Sequence, residues 1–291
     1  MKKNKIIISA VTAALAISSL FAFSWPLENV DSSNIQSYFG QRRGNSISTS
    51  FIFSDPSEVK AIGEGKLLVY MTDSSDEASF FPTTLGTSVM IQHSEDLVSV
   101  YGNLDRSSLN ANLDLKNSYT EQEAIGLTGN SGFQTKRSTL ELQIFDSQKS
   151  TSINPKIFMP RTQNEIPYVI SSIMLKNKAG QLFDINSEPS FKSGTYKIYQ
   201  RRNSIATPYK STTTINGVEI DQLSYDKIDE ENNRIYISGK KKYLSTDIYP
   251  DENLFLLGEV ILSQGKSTLG IQVEDYLGNI RKINYSILVT N

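Results

Sequence analysis

The chain of 291 residues contains no cysteine, a single histidine (His93) and a single tryptophan (Trp25). Without cysteine there is no disulfide, no thiolate zinc site, no thiol nucleophile and no lipid-modified N-terminal cysteine. With one histidine the chain cannot build a metal centre from several imidazoles, nor a site needing two proton-shuttling rings. It lacks a strong excess of either charge: the formal net charge is -2, which by bulk electrostatics makes a poor nucleic-acid binder. No G-x-S-x-G nucleophile motif, helical heptad pattern or repeat of solenoid period is present. Long hydrophobic runs are also missing, with one exception, Ile6 to Phe23.

That exception follows a basic start, MKKNK, and ends on Ala22-Phe23-Ser24, with small residues at the two positions a signal peptidase inspects. The pattern predicts a signal peptide over residues 1–24; an uncleaved membrane anchor is the alternative. Either way the folded part is expected outside the cytoplasmic membrane, exported to the periplasm or cell envelope. Removal of Lys2, Lys3 and Lys5 with that segment leaves the remainder more acidic. A 38% hydrophobic and 10% aromatic composition is enough for real cores, and the length accommodates two domains.

What is present is short β-type patterning. In Val89 to Leu104, VMIQHSEDLVSVYGNL, two apolar runs flank the charged turn Ser94-Glu95-Asp96, which reads as a half-buried β-hairpin. Ahead of it, Trp25 to Ser37 reads as a short polar lead. Asp55-Pro56-Ser57 reads as a turn before strand positions at Val59, Ala61 and Leu67 to Tyr70, with Gly63 and Gly65 permitting a bend or bulge. Further on, Gly126, Gly129 and Gly132 suit positive-φ turns between short strands.

These phrases together resemble the LytM-type (M23) zinc peptidases of peptidoglycan. Tyr38-Phe39-Gly40-Gln41-Arg42 is similar to the family's F-G-x-R opening, and Asp55 to Gly65 to its A-P-x-G-x-x-V-x-A-x-x-x-G segment. The hairpin is similar to V-x-I-x-H followed by Y-x-H-L, and Glu123 to Gly132 to Q-x-I-G-x-x-G-x-T/S-G. Thr139 to Ile144 takes the slot of H-L-H-F-E-V, and Ile153-Asn154-Pro155 that of the closing V-N-P. The resemblance covers residues 38–160 and implies an antiparallel β-sheet domain. It also implies a zinc site at H-x-x-x-D and the second histidine of H-x-H, with catalytic histidines at Y-x-H and the first of H-x-H. On this chain those positions fall on Ser46 and Ser50, Glu141, Asn103 and Thr139.

Only Glu141 of the three ligand positions has a side chain suited to zinc, and Asn103 and Thr139 cannot carry protons as imidazole does. Zinc is therefore expected to be lost. Ser46, Ser50, His93, Asn103, Thr139 and Glu141 are left as the lining of a vacated groove. His93, at a position lining the family's site, reads more simply as a hydrogen-bonded structural histidine. An oxygen-donor Ca²⁺ or Mg²⁺ site from Asp55, Glu58, Glu95, Asp96 and Asp105 is the alternative metal reading, solvated turns the plainer one.

After the polar connector Arg161 to Pro167, residues 168–291 hold seven β-type runs separated by turn residues, which suits an immunoglobulin-like antiparallel β-sandwich. The runs are Tyr168 to Leu175, Gly194 to Gln200, Thr213 to Ile220, Arg234 to Ser238, Glu259 to Leu262, Thr268 to Val273 and Ile280 to Val289. Lys178-Ala179-Gly180, Ile215-Asn216-Gly217 and Leu277-Gly278-Asn279 read as hairpin turns. The sandwich that follows LytM domains in some bacterial proteins has a similar closing phrase, here Val273 to Asn279. Lys240-Lys241-Lys242 reads as a solvated loop, with contact to anionic polymer or lipid headgroups as the alternative.

The expected fold is thus all-β, a LytM-like sheet domain followed by a sandwich. The expected function is a non-catalytic envelope protein binding peptidoglycan fragments or a cell-wall hydrolase, with the membrane touched only through an uncleaved N-terminal segment. An active M23-type zinc endopeptidase with another ligand set and an envelope scaffold are the rival readings.

Overall fold

The computed structural model describes residues 22–72, 84–109, 116–132, 137–162, 164–165, 167–202 and 207–291. It is all-β, and the helical elements among these residues are short, the α-helix being Ser245–Ile248. The leader expected over residues 1–24 lies largely outside the described residues, but its last part does not.

The first sheet is organised around the hairpin Ser88–Gln92 and Leu97–Gly102, in which Val89 faces Tyr101 and Gln92 faces Val98. Glu95 and Asp96 both adopt positive φ, 57° and 59°, at the turn between the strands. Strand Leu140–Asp146 lies beside Leu97–Gly102 from Glu141↔Gly102 to Asp146↔Leu97. Its other edge is shared: Phe51–Phe53 pairs with residues 140–142 and Thr151–Ile153 with residues 144–146. Period-2 alternation puts Leu140, Leu142 and Ile144 into the core, fully buried. Glu141 and Gln143 are thereby sent to the opposite face.

The sheet does not stop at Thr151–Ile153. Strand Lys227–Glu231 pairs with it, and Arg234–Ser238 and Lys242–Leu244 continue outward, making an 11-stranded sheet. Arg234 to Ser238, counted from sequence among the sandwich strands, therefore belongs to the first sheet. Alternation identifies a strand but not its neighbour, so the sequence pattern fits either sheet equally.

Apart from two two-stranded ribbons, Glu58–Lys60 with Ala124–Leu127 and Arg42–Arg43 with Ser46–Ile47, the remaining strands form two sheets. One orders Leu182–Asp184, Ile173–Asn177, Gly194–Arg201 and Leu254–Leu262; the other orders Phe191–Lys192, Ile280–Thr290, Gly265–Glu274, Lys210–Ile215 and Val218–Ser224. The run Thr213 to Ile220 is divided into two paired strands by the hairpin turn expected at Ile215-Asn216-Gly217, with Asn216 and Gly217 both at positive φ. The two sheets approach closely: the Ser211 hydroxyl donates to the Leu257 carbonyl at 2.7 Å. A Cβ at Gly258 would lie 2.7 Å from Thr213 Cγ2. The Asp275 carboxylate closes the last hairpin turn, accepting from the Leu277 and Asn279 amides at 2.9 Å each.

Buried apolar residues from both halves form one continuous cluster. The segment after Pro26, read as a polar lead, contributes Leu27, Val30 and the strand Ile35–Ser37 to it. Trp25 is buried too, its indole donating to the Pro160 carbonyl at 2.7 Å. Phe23 packs on Phe158 and His93, and the Ser24 amide donates to the Ile62 carbonyl at 2.8 Å. The end of the apolar run is thus part of the folded body.

Gly126, Gly129 and Gly132 are not at positive φ, contrary to the turn reading. Gly129 and Gly132 are required because backbone passes over them: a Cβ would sit 2.4 Å from the Asp105 amide nitrogen and 2.4 Å from the Thr84 oxygen.

The outer strands are locked to the sandwich by Asp221, which is almost fully buried. It accepts from the Tyr243 hydroxyl at 2.5 Å, the Glu259 amide at 2.9 Å and the Lys240 amide at 2.8 Å. Tyr243→Phe is expected to lower unfolding stability by about 1–2 kcal/mol, read as a lower urea midpoint. An unchanged midpoint would show that this lock contributes nothing.

Candidate functional site

The groove positions divide into two bonded pairs and two outliers. Phe51–Phe53 and Leu140–Asp146 are adjacent strands with Glu141 opposite Ile52, which brings Ser50 alongside Glu141. The Ser50 hydroxyl donates to Glu141 Oε1 at 2.7 Å, and both residues are buried. Asn103, in the left-handed region at φ 67°, follows Gly102, which lies opposite Glu141. The Asn103 amide nitrogen donates to the Gly129 carbonyl at 2.8 Å and also bonds the Thr139 hydroxyl, while its oxygen accepts from the Gly132 amide at 2.7 Å. Thr139 is itself fixed by a bridge to Gly129. Ser50, Glu141, Asn103 and Thr139 thus share one end of the sheet.

Ser46 lies apart from them in side-chain terms. It is exposed on the short hairpin Arg42–Arg43 and Ser46–Ile47, directly across from Arg43. His93 is at the opposite end of the central hairpin, about 20 Å along the strand at roughly 3.3 Å per residue. Its Nδ1 faces the Glu64 carbonyl at 2.8 Å, an acceptor only, so Nδ1 carries the proton; Nε2 is 2.7 Å from the Ser99 hydroxyl. Ser99 in turn lies 3.2 Å from the Tyr101 hydroxyl, which accepts from the Ile62 amide at 2.8 Å. Burial holds the His93 pKa below its ordinary 6.5, against the opposing effect of the Glu64 carbonyl. Every polar atom of the ring is committed to holding the hairpin, and one ring face to Phe23.

Sequence reasoning missed Arg43. Its guanidinium forks onto Glu141, Nη1 to Oε1 at 2.5 Å and Nη2 to Oε2 at 3.1 Å, and Nη1 also lies 3.4 Å from the Ser50 oxygen. A glutamate between two buried leucines needs a cation, which was the available signal. Where the family resemblance implies a metal ion beside this position, an arginine supplies the positive charge. Among the described residues no three His, Asp or Glu side chains converge on one point.

Next to the Asn103–Thr139 pair a cavity of about 460 Å³ opens between Leu104–Arg106, Thr128–Ser131 and Arg137–Ser138. Arg106, Arg137, Asp105 and Asn130 give it a polar, two-signed lining.

A family model that carries no functional description matches residues 167–290. No curated protein matches the chain. Among solved structures, the catalytic domain of the prophage-encoded M23 protein EnpA from Enterococcus faecalis is similar at 18% identity and a TM-score of 0.34, over 42% of this chain and 87% of that one. A SpoIIIAH–SpoIIQ complex aligns at 19% identity and 0.36, over 47% of this chain and 99% of that chain. A zinc-containing peptidase from Vibrio cholerae aligns at 18% and 0.35, over 50% of this chain and 41% of that one. Likenesses this distant carry no residue's role to this chain.

Two outcomes follow from the geometry. Arg43→Met leaves a buried, uncompensated carboxylate and is expected to cost about 1–2 kcal/mol, discounted because the guanidinium is partly solvated. Pairing it with Glu141→Gln should restore most of that loss in a denaturation cycle; full additivity would deny the interaction. For His93 the unfolded chain takes the proton before the folded one. Stability should therefore be complete above about pH 6.5 and fall as pH drops through it towards the lower folded-state value. With one histidine, its ring proton resonances titrate without overlap, and a midpoint at or above 6.5 would contradict the burial argument.

Proposed function

We propose that the chain is a non-catalytic, exported cell-envelope protein of LytM-like ancestry that binds peptidoglycan fragments or a cell-wall hydrolase along its vacated groove. The observation that carries this reading is the Arg43–Glu141 fork. Glu141 is the one mapped ligand position with metal-binding chemistry, and its two oxygens are occupied by an arginine and a serine hydroxyl. Asn103 and Thr139 spend their polar atoms on each other and on the Gly129 backbone, so no general base faces the groove from those positions. On this reading the groove holds a peptide without activating water, since among the described residues these positions bring together neither a cation-binding set nor a proton carrier. The ordered motifs over residues 38–160 and the hydrophobic N-terminal run support the envelope setting.

Elemental analysis and zinc titration of the full chain test the reading first. The expected result is no stoichiometric zinc, with muropeptides retained by the immobilised protein and released intact. Stoichiometric zinc or cleaved muropeptides would restore the endopeptidase reading, whereas neither zinc nor wall fragments bound would leave the scaffold reading. Asn103→His is expected to recover no hydrolysis, because Ser46 and Ser50 are poor zinc donors and Glu141 is engaged by Arg43 and Ser50.

A further inference from the structure

A second site lies on the sandwich, away from the groove. Lys176, Lys197 and Glu259 sit directly opposite one another on three adjacent strands, Lys176↔Lys197 and Lys197↔Glu259, and so share one face. That is the outer face, since their neighbours Leu175 and Ile198 are buried between the sheets. Residues 242–250 cover part of it, with the Tyr199 hydroxyl donating to the Asp247 carbonyl at 3.1 Å. The rest is a cavity of about 510 Å³ whose floor holds Lys176, Thr195 and Lys197, with Lys178 and Lys241 on its rim.

The charges there do not balance. Lys197 pairs with Asp247, and Lys240 and Lys241 both converge on Glu259, at 3.3 and 2.6 Å. Lys176 and Lys178 have no carboxylate partner among the described residues. Four lysines, Lys176, Lys178, Lys197 and Lys241, therefore line the concavity, against Glu259 in its lining and Asp247 beside it, in a chain whose overall charge is -2. Lys176 lies directly opposite Lys197, whose charge is taken up by Asp247, so Lys176 stands beside a like charge with no carboxylate of its own among the described residues. Lysine presents compact, strongly hydrated charge suited to phosphate, and the Thr195 and Thr246 side chains add uncharged hydrogen-bonding groups at the same wall.

We propose that this lysine-lined cavity between Lys176, Lys178, Lys197 and Lys241 binds phosphate groups. They are carried either by a soluble phosphodiester or polyphosphate chain or by lipid headgroups. The Lys240–Lys242 run contributes through Lys241 alone, because Lys242 is turned to Glu231 on the far strand.

The test is titration of the full chain with sodium polyphosphate, and separately co-sedimentation with phosphatidylcholine vesicles with and without phosphatidylglycerol. Lys176→Gln/Lys178→Gln removes the two unpaired charges without breaking an ion pair, and Lys242→Gln serves as a control outside the cavity. Salt-sensitive polyphosphate binding is expected, weakened at least tenfold by the double variant and unchanged by the control. Vesicle binding that depends on phosphatidylglycerol and on the two lysines, without polyphosphate binding, supports headgroups as the source. Absence of both, equal loss in the control, or equally tight binding of polyglutamate would overturn the proposal.

Discussion

The three-residue pairing of Thr151–Ile153 with Lys227–Glu231 is the constraint on which the rest of the molecule depends. It carries the first sheet across into residues that follow the sandwich's opening strands, so neither half closes its β-structure alone. The next residue, Asn154, makes the join specific. Its backbone amide donates to the Asp226 carbonyl at 2.8 Å, and its side-chain amide donates to the Tyr225 carbonyl at 3.1 Å and bonds the Tyr276 hydroxyl. Its oxygen caps the following turn at the Lys156 amide. Burial at this node keeps the Tyr225 and Tyr276 hydroxyls neutral well beyond the ordinary tyrosine range, so the join is a network of uncharged donors and acceptors. A join of three strand residues contributes little by itself; the four hydrogen bonds of Asn154 to Asp226, Tyr225, Tyr276 and Lys156 reinforce it.

The same rule explains the groove. A fold that buries a carboxylate must either keep it neutral or pair it with a hydrogen-bonded cation. Here Arg43 reaches back from the short hairpin before Phe51–Phe53, and Ser50 completes the coordination. Glu141 thereby becomes a tie between the N-terminal hairpin and the central strand. Asn103 behaves alike, stitching the strand end to the Gly129 turn that the backbone crowds too closely for any side chain.

The sequence disclosed the β-hairpin at Val89 to Leu104 because both alternation and its charged turn are local signals. It disclosed the sandwich turns at Asn216-Gly217 and Gly278 for the same reason. It did not disclose which sheet would receive Arg234–Ser238, since that is decided by its neighbour Lys227–Glu231 pairing with the sequence-distant Thr151–Ile153. Nor did it separate Trp25, Leu27 and Val30 from a polar lead, because three apolar residues among polar ones have no period. The need for glycine at 129 and 132 was legible, but its cause was not: crowding by distant backbone leaves the same letter as a left-handed turn. Of the groove, the sequence placed Ser50 beside Glu141 and Asn103 beside Thr139 only through the resemblance. Arg43 was invisible to it because the motif gives that position no role.

Saturated hydrogen bonding at the groove floor decides where a ligand can gain free energy. Displacing Ser50 or Arg43 from Glu141, or Thr139 from Asn103, exchanges one satisfied bond for another and yields little net affinity. On the proposed reading, a ligand's further contacts would fall on the wall beside the floor, where Asp105, Arg106, Asn130 and Arg137 line an open cavity with charges of both signs. A peptide ligand bearing both an ammonium and a carboxylate group matches that lining better than a uniformly charged one. The floor, once the place of chemistry in the resemblance, is in this chain the rigid base on which such a wall is held.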